Sequence, residues 1–186
     1  MKLLFIDSCL KDDSRTLKLT NEIIKLFKNE YEIERIKTYE IPFKPIDFKI
    51  IEKRDNGIYD NLALKYAKKI KEADRIIISA PLWDMSYPSY LKLFLENVML
   101  PNYLFKYIDN GQVGLVNAKK LLYVSTSGGT IDKNYGFDEI KGIANLWGIK
   151  DVLEIYINKL DIFSNDYFEN ELNKILLQYK KELEEF

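Results

Sequence analysis

Apolar runs of strand length alternate along this chain with longer stretches of helical period, and that alternation limits the fold more than any other feature. "LLFID" (3–7), "RIIISA" (75–80) and "KLLYVST" (120–126) are apolar at successive positions, as strands covered on both faces are. "YEIERIKTY" (31–39) alternates as a further strand, and "VLEIYI" (152–157) is the last. Between them, a helix from about Arg15 to Phe27 sets Leu19, Ile23, Leu26 and Phe27 on one stripe, and another from Tyr59 sets Leu62, Ala63, Tyr66, Ile70 and Ala73 on a second. "YLKLFLENVM" (90–99) and "FDEIKGIANLW" (137–147) are helical, and a closing helix carries Phe168, Leu172, Ile175, Leu176, Tyr179 and Leu183. No repeat or low-complexity linker divides the chain, so one domain over residues 1–186 is expected. Strands separated by helices imply right-handed crossovers and an α/β fold: a five-stranded parallel sheet with helices on both faces, for which the commonest order is 2-1-3-4-5. In that order the chain reverses direction between the first and third strands, and the loops leaving their carboxyl ends flank a crevice where a ligand sits.

Composition removes much of the usual chemistry. There is no histidine, which excludes Ser-His and Cys-His pairs, imidazole acids or bases and histidine metal ligands; no metal site is expected. Any catalysis then comes from a cofactor, from carboxylates or from backbone dipoles. The single cysteine cannot form an internal disulfide, which agrees with a reducing, cytoplasmic compartment. Lys plus Arg number 28 against 29 for Asp plus Glu, so no global field favours nucleic acid or an anionic membrane. "MKLLFID" lacks the apolar core and cleavage site of a signal peptide, and no apolar run is long enough to span a bilayer. The expected partner is a small molecule.

Three loops follow the strands that border the crevice. "SCLKDDSRT" (8–16) is rich in hydroxyls and runs into a helix, where Ser14 either caps that helix or joins Ser8, Thr16 and the free N–H groups in holding an anion. "APLWDMSYP" (80–88) places bulky Leu82, Trp83 and Met85 between Pro81 and Pro88. Leaving a Trp and a Met uncovered forgoes roughly 2–4 kcal/mol, so they either fill the core below the loop or await a planar ligand. "STSGGT" (125–130) contains Gly128 and Gly129, which suit a close approach to a ligand, with positive φ turning N–H groups toward it; a plain turn needs glycine too.

Cys9 stands ahead of Arg15 and Thr16 at the C-x5-R-[S/T] spacing of low-molecular-weight tyrosine phosphatases, which this chain resembles in placing that loop after its first strand. Cys9 would be the nucleophile and Arg15 the phosphoryl clamp. Against it, Asp12 and Asp13 fall inside the supposed cradle and no Asp-Pro pair occurs to supply the general acid. A longer match lies in residues 80–129. An Ala-Pro loop, then Phe105, Lys106, Tyr107, Asn110, Gly111, Gly114 and Leu115 in register, then the Ser-x-Gly-Gly loop, together resemble the flavodoxin-like family of FMN-dependent NADH azoreductases and quinone reductases. Ser8 and the triplet Ser14, Arg15, Thr16 fit that family's first loop; the resemblance runs to about Lys150 and fades over residues 37–60 and the tail.

The resemblance implies a flavodoxin-like doubly wound fold, noncovalent FMN, NADH or NADPH as co-substrate, and a quinone, azo compound or similar flat aromatic acceptor reduced in ping-pong fashion. It implies that Ser8, Ser14, Arg15 and Thr16 hold the FMN phosphate, that Pro81, Leu82, Trp83, Asp84 and Met85 line the isoalloxazine, and that Thr126, Ser127, Gly128 and Gly129 approach its pyrimidine edge. No side chain needs to act as the catalyst, because the flavin carries the hydride. The 99–118 stretch is expected to pack at a homodimer interface, with Phe105 and Tyr107 in the substrate wall. Asp84 stands where family members commonly carry Asn, and a carboxylate beside the ring would lower its potential. Ser127 replaces a frequent arginine, and Ile131 a histidine. A non-enzymatic FMN electron carrier is the other flavin-binding reading.

Overall fold

The computed structural model describes residues 1–27 and 30–186. Its main sheet comprises β1 (Lys2–Asp7), β2 (Glu32–Lys37), β3 (Arg75–Ser79), β6 (Lys120–Thr126) and β7 (Asp151–Ile157). All pairings are parallel, in the order β2-β1-β3-β6-β7, which is the expected 2-1-3-4-5. The period of two divides each strand's side chains between two cores. Leu3 and Phe5 join Ile77, Leu122, Val124 and Ile155 under α1 (Arg15–Lys25) and α6 (Asn165–Gln178). Leu4 and Ile6 join Ile76, Ile78, Leu121 and Tyr123 under α3 (Asn61–Glu72), α4 (Ser89–Val98) and α5 (Tyr135–Trp147).

The expected helices are present with shifted ends. α1 buries Leu19 and Ile23, whereas Leu26, expected on the same stripe, is its exposed C-cap. The second strand stops at Lys37 because Thr38–Glu40 tighten into a 3-10 turn. The closing helix breaks at Tyr179 into α6 and α7 (Lys180–Glu184).

Two elements add to the expected set. α2 (Phe48–Asp55) is capped by Asp47 and buries none of its residues; Arg54 ties it to the Glu96 and Asn97 carbonyls. The long stretch after α4 forms an antiparallel hairpin of β4 (Phe105–Ile108) and β5 (Gly111–Gly114), closed where Gly111 takes φ +140°. Gly114 lets the hairpin lie on the end of α5, since a methyl group there would stand 2.1 Å from the Gly148 nitrogen.

Candidate active site

The carboxyl ends of β1, β3 and β6 point to one edge of the sheet, and the loops leaving them build a groove of about 450 Å3. At one end is the start of α1. Ser14 caps it, its Oγ accepting the Leu17 N–H at 3.4 Å, so the capping role applies to this hydroxyl. The Arg15 and Thr16 N–H groups have no backbone partner among the described residues and lie where a helix dipole favours an anion. Thr16 Oγ1 meets Thr126 Oγ1 at 2.7 Å, locking the helix start to the end of β6. Thr20 continues this hydroxyl floor to Ser79 at 2.7 Å.

The loop after β3 is a miniature hairpin. The Trp83 and Ser86 backbones exchange hydrogen bonds of 2.7 and 2.9 Å, leaving Asp84 and Met85 as a two-residue turn with φ of 47° and 72°. Positive φ at two non-glycine residues matches the type I′ turn and stores backbone strain in this loop. Leu82 fills the core below, while Trp83 and Met85 remain 46% and 47% exposed. Leu82 thus fills the core, as one alternative had it, while Trp83 and Met85 do not.

The loop after β6 rests on the one after β7. Gly128 and Gly129 carbonyls accept the Asp161 and Lys159 N–H groups at 3.0 and 2.9 Å. Neither glycine has the expected positive φ. Gly128 is needed for a different reason, because a methyl group there would stand 1.8 Å from the Asp161 carboxylate. Arg15 spans the groove's rim, donating to the Leu160 carbonyl at 2.6 Å and to Asp161 at 2.5 Å.

Ser14, Arg15, Thr16, Pro81, Leu82, Trp83, Thr126, Ser127, Gly128 and Gly129 thus come together in one groove. Ser8, Asp84, Met85, Phe105 and Tyr107 are outside its lining. Ser8 is fully buried, and its hydroxyl turns to Thr38 Oγ1 at 2.7 Å. Asp84 is exposed at the turn's tip. Phe105 is buried beneath the exposed Tyr107, edge-to-face at 5.5 Å. Lys11, Asp13 and Asp161 line the groove without having been foreseen as ligand contacts. Only topology could have flagged Asp161, since its loop follows a strand ending at the same sheet edge.

Cys9 is buried and hydrogen-bonds Ser79 Oγ at 3.3 Å. Burial pushes its thiol up to about 12; Ser79 opposes the rise and the Asp7 charge adds to it. Buried and outside the groove's lining, Cys9 cannot reach a phosphate held at the start of α1, and the phosphatase reading fails.

A groove of this kind, at the switch point between β1 and β3, defines a doubly wound α/β ligand-binding protein. Residues 1–183 match a family model described as flavodoxin-like fold. The chain is 32% identical to the FMN-dependent NADH:quinone oxidoreductase of Clostridium perfringens (strain SM101 / Type A) over 173 residues, 87% of each chain. It is 30% identical over 200 residues to FMN-dependent NADH:quinone oxidoreductase 2 of Clostridium acetobutylicum, covering 100% of this chain and 99% of that one. It belongs to the flavodoxin-like family of FMN-dependent NADH:quinone oxidoreductases. In fold it is similar to an azoreductase from Bacillus anthracis str. Sterne (TM-score 0.84, 19% identity, 100% of both chains). It is likewise similar to an FMN-dependent NADH-azoreductase from B. anthracis str. Ames Ancestor solved with FMN (TM-score 0.82, 24% identity, 98% of both chains).

Proposed function

We propose that the groove binds FMN noncovalently and that the protein uses NADH or NADPH to reduce quinones, azo compounds or similar flat acceptors in a ping-pong sequence. The observation that carries this reading is the convergence of three loops on one groove, with unpartnered N–H donors at one end and a half-exposed Trp83 at the other. Its volume of about 450 Å3 falls in the range of small-molecule sites. FMN, when bound, supplies the capacity to accept and donate hydride.

The chain's own residues bind and orient. The α1 N-terminus and Thr16 suit a phosphate, and Arg15 is available to it because the ion pair with Asp161 is exposed on both sides and worth at most about 1 kcal/mol. Trp83 and Leu82 offer an apolar wall that keeps water from one ring face, and residues 126–129 bring backbone dipoles to the ring's edge.

Assembly as a homodimer belongs to the same proposal. Tyr107 and Ile108 on the hairpin and Phe48 on α2 are exposed apolar side chains, 71%, 52% and 77% accessible. Because Tyr107 stands outside the groove of its own chain, a role in the substrate wall requires a second copy. Light scattering should then give a dimer, and Tyr107→Asp a monomer.

The functional test is stepwise. Protein loaded with FMN should lose its visible flavin absorption when NADH or NADPH is added without oxygen, and regain it when menadione follows. Double-reciprocal plots with both substrates varied should be parallel. Protein that takes up FMN but oxidises neither nucleotide would be an electron carrier and would refute the enzymatic reading.

A further inference from the structure

Beneath the start of α5, one face of the sheet carries polar side chains where core residues belong. β6 supplies Tyr123 and Ser125, and β7 supplies Glu154 and Tyr156; the parallel register sets Tyr123 beside Glu154 and Ser125 beside Tyr156. Among the described residues, Tyr87 OH, Tyr123 OH, Ser125 Oγ, both amide atoms of Asn134 and Glu154 Oε1 are buried without a hydrogen-bond partner. Tyr87, Asn134 and Tyr123 meet at Gly136, where an added methyl group would stand 3.1 Å from the Tyr87 ring, 3.2 Å from Asn134 Oδ1 and 3.3 Å from the Tyr123 hydroxyl. Buried polar atoms without partners are costly, and ordered water is the usual way such groups are satisfied.

The cluster reaches outward at both ends. Glu154 is only partly covered although its Oε1 is sealed, so its carboxyl can exchange protons with solvent. Burial raises that carboxyl to about 7; the nearby Asn134 amide opposes the rise and the Asp138 charge adds to it. The groups facing it are Tyr123 from β6, Tyr156 on its own strand, and Asp138 from α5, itself paired with Lys133 at 2.8 Å. At the other end, Tyr156 OH lies 2.7 Å from Ser127 Oγ, which lines the groove. Tyr156 can also donate to the Ile131 carbonyl at 2.8 Å, and Ser127 to the Gly129 carbonyl at 3.4 Å. The two hydroxyls can therefore point in either direction along the line, as a proton relay requires.

We propose that Glu154 is a proton store for the groove, delivering through water held among Tyr123, Ser125 and Asn134 and then through the Tyr156 and Ser127 hydroxyls. The proposal rests on the oxidoreductase reading above. Reducing a quinone takes a hydride, which the nicotinamide ultimately gives up as it is oxidised, and a proton. That proton leaves the Glu154 O–H; each water or hydroxyl on the line takes one proton and releases one, and the last O–H bond forms on the acceptor oxygen. Glu154, left as carboxylate, recovers its proton from solvent. In a chain with no histidine, this is a carboxylate route to a group that titrates near neutrality.

Glu154→Gln and Tyr156→Phe, made in the full chain, test it. In flavin-free protein, an infrared C=O band of a protonated carboxyl should titrate with a midpoint of about 7, persist in Tyr156→Phe and vanish in Glu154→Gln. In FMN-loaded protein, the wild-type rate of quinone reduction should fall as pH rises through about 7. Glu154→Gln should flatten that profile and lower the rate below neutrality by at least ~10-fold; Tyr156→Phe should lower the rate while the infrared titration stays. Wild-type protein that takes up no FMN would refute the functional reading, and this proposal with it. Protein that takes up FMN, yet lacks the titrating band or keeps its pH profile in Glu154→Gln, would refute the proton store alone. If Glu154→Gln does not fold, Tyr156→Phe decides, and an unchanged rate overturns the proposal.

Discussion

Arg35 provides a sharp energetic test of the frame beneath the groove. β1 ends in Asp7, whose side chain is fully buried; Oδ1 accepts the Cys9 N–H at 2.9 Å and Oδ2 takes Arg35 Nη2 at 2.6 Å and Nε at 3.1 Å. The Arg35 side chain, 35% exposed, also lies over the Phe5 ring at 5.4 Å. Arg35→Met keeps apolar cover on Phe5 and strips the buried carboxylate of its counter-charge. Breaking a buried pair from one side costs ~3–5 kcal/mol, and the partial exposure of Arg35 lets water recover some of that, so a loss of about 3 kcal/mol is expected. Asp7→Asn in the Arg35→Met background removes the stranded charge and keeps an acceptor for the Cys9 N–H, so about 2 kcal/mol should return. Urea unfolding followed by tryptophan fluorescence measures both, provided the slope with denaturant is unchanged. If Arg35→Met alters stability by less than ~0.5 kcal/mol, or the double variant is no more stable than the single one, the reasoning fails.

Trp83→Ala should weaken FMN binding by roughly 5–30-fold, read by fluorescence titration, with little loss of stability because the side chain is half exposed. Cys9→Ala should leave activity intact, and in the wild type a thiol reagent should modify Cys9 only as fast as the protein opens, since burial holds the thiol protonated. Gly114→Ala places a methyl group against the α5 backbone and should destabilise by more than ~2 kcal/mol, read by thermal unfolding. The Glu154 carboxyl is raised in the fold, from 4.5 to about 7, so the folded chain holds the extra proton between those values. Stability should therefore fall as pH rises through that window and level off above it, by about 1–2 kcal/mol once solvent screening of this part-exposed group is allowed for, and Glu154→Gln should remove the slope.

The strand order is legible because apolar runs suited to strands buried on both faces alternate with helical stretches, and the strand ends then locate the loops that build the groove. α2 left no such trace: it buries no residue and is held by Arg54 to distant carbonyls, which no local pattern encodes. The hairpin had a local signal in Asn110-Gly111, but its strands are mostly exposed and lack the apolar run that marked the others. The resemblance and the hydroxyl-rich loop give Ser8 to the phosphate, whereas its direction depends on Thr38, 30 residues away. Gly128 and Gly129 suit a close approach to a ligand by local sequence, and nothing local shows that Gly128 also makes room for Asp161. For α2, Ser8 and Gly128 the missing information is a contact distant in sequence.

The most direct test of the central claim is an equilibrium titration of FMN into the purified, flavin-free protein, following flavin and tryptophan fluorescence together. The account predicts saturable binding of one FMN per chain, with a dissociation constant of about a micromolar or lower and quenching of Trp83. A titration that never saturates, or that saturates equally in a variant whose groove is filled by Gly129→Trp, would contradict it.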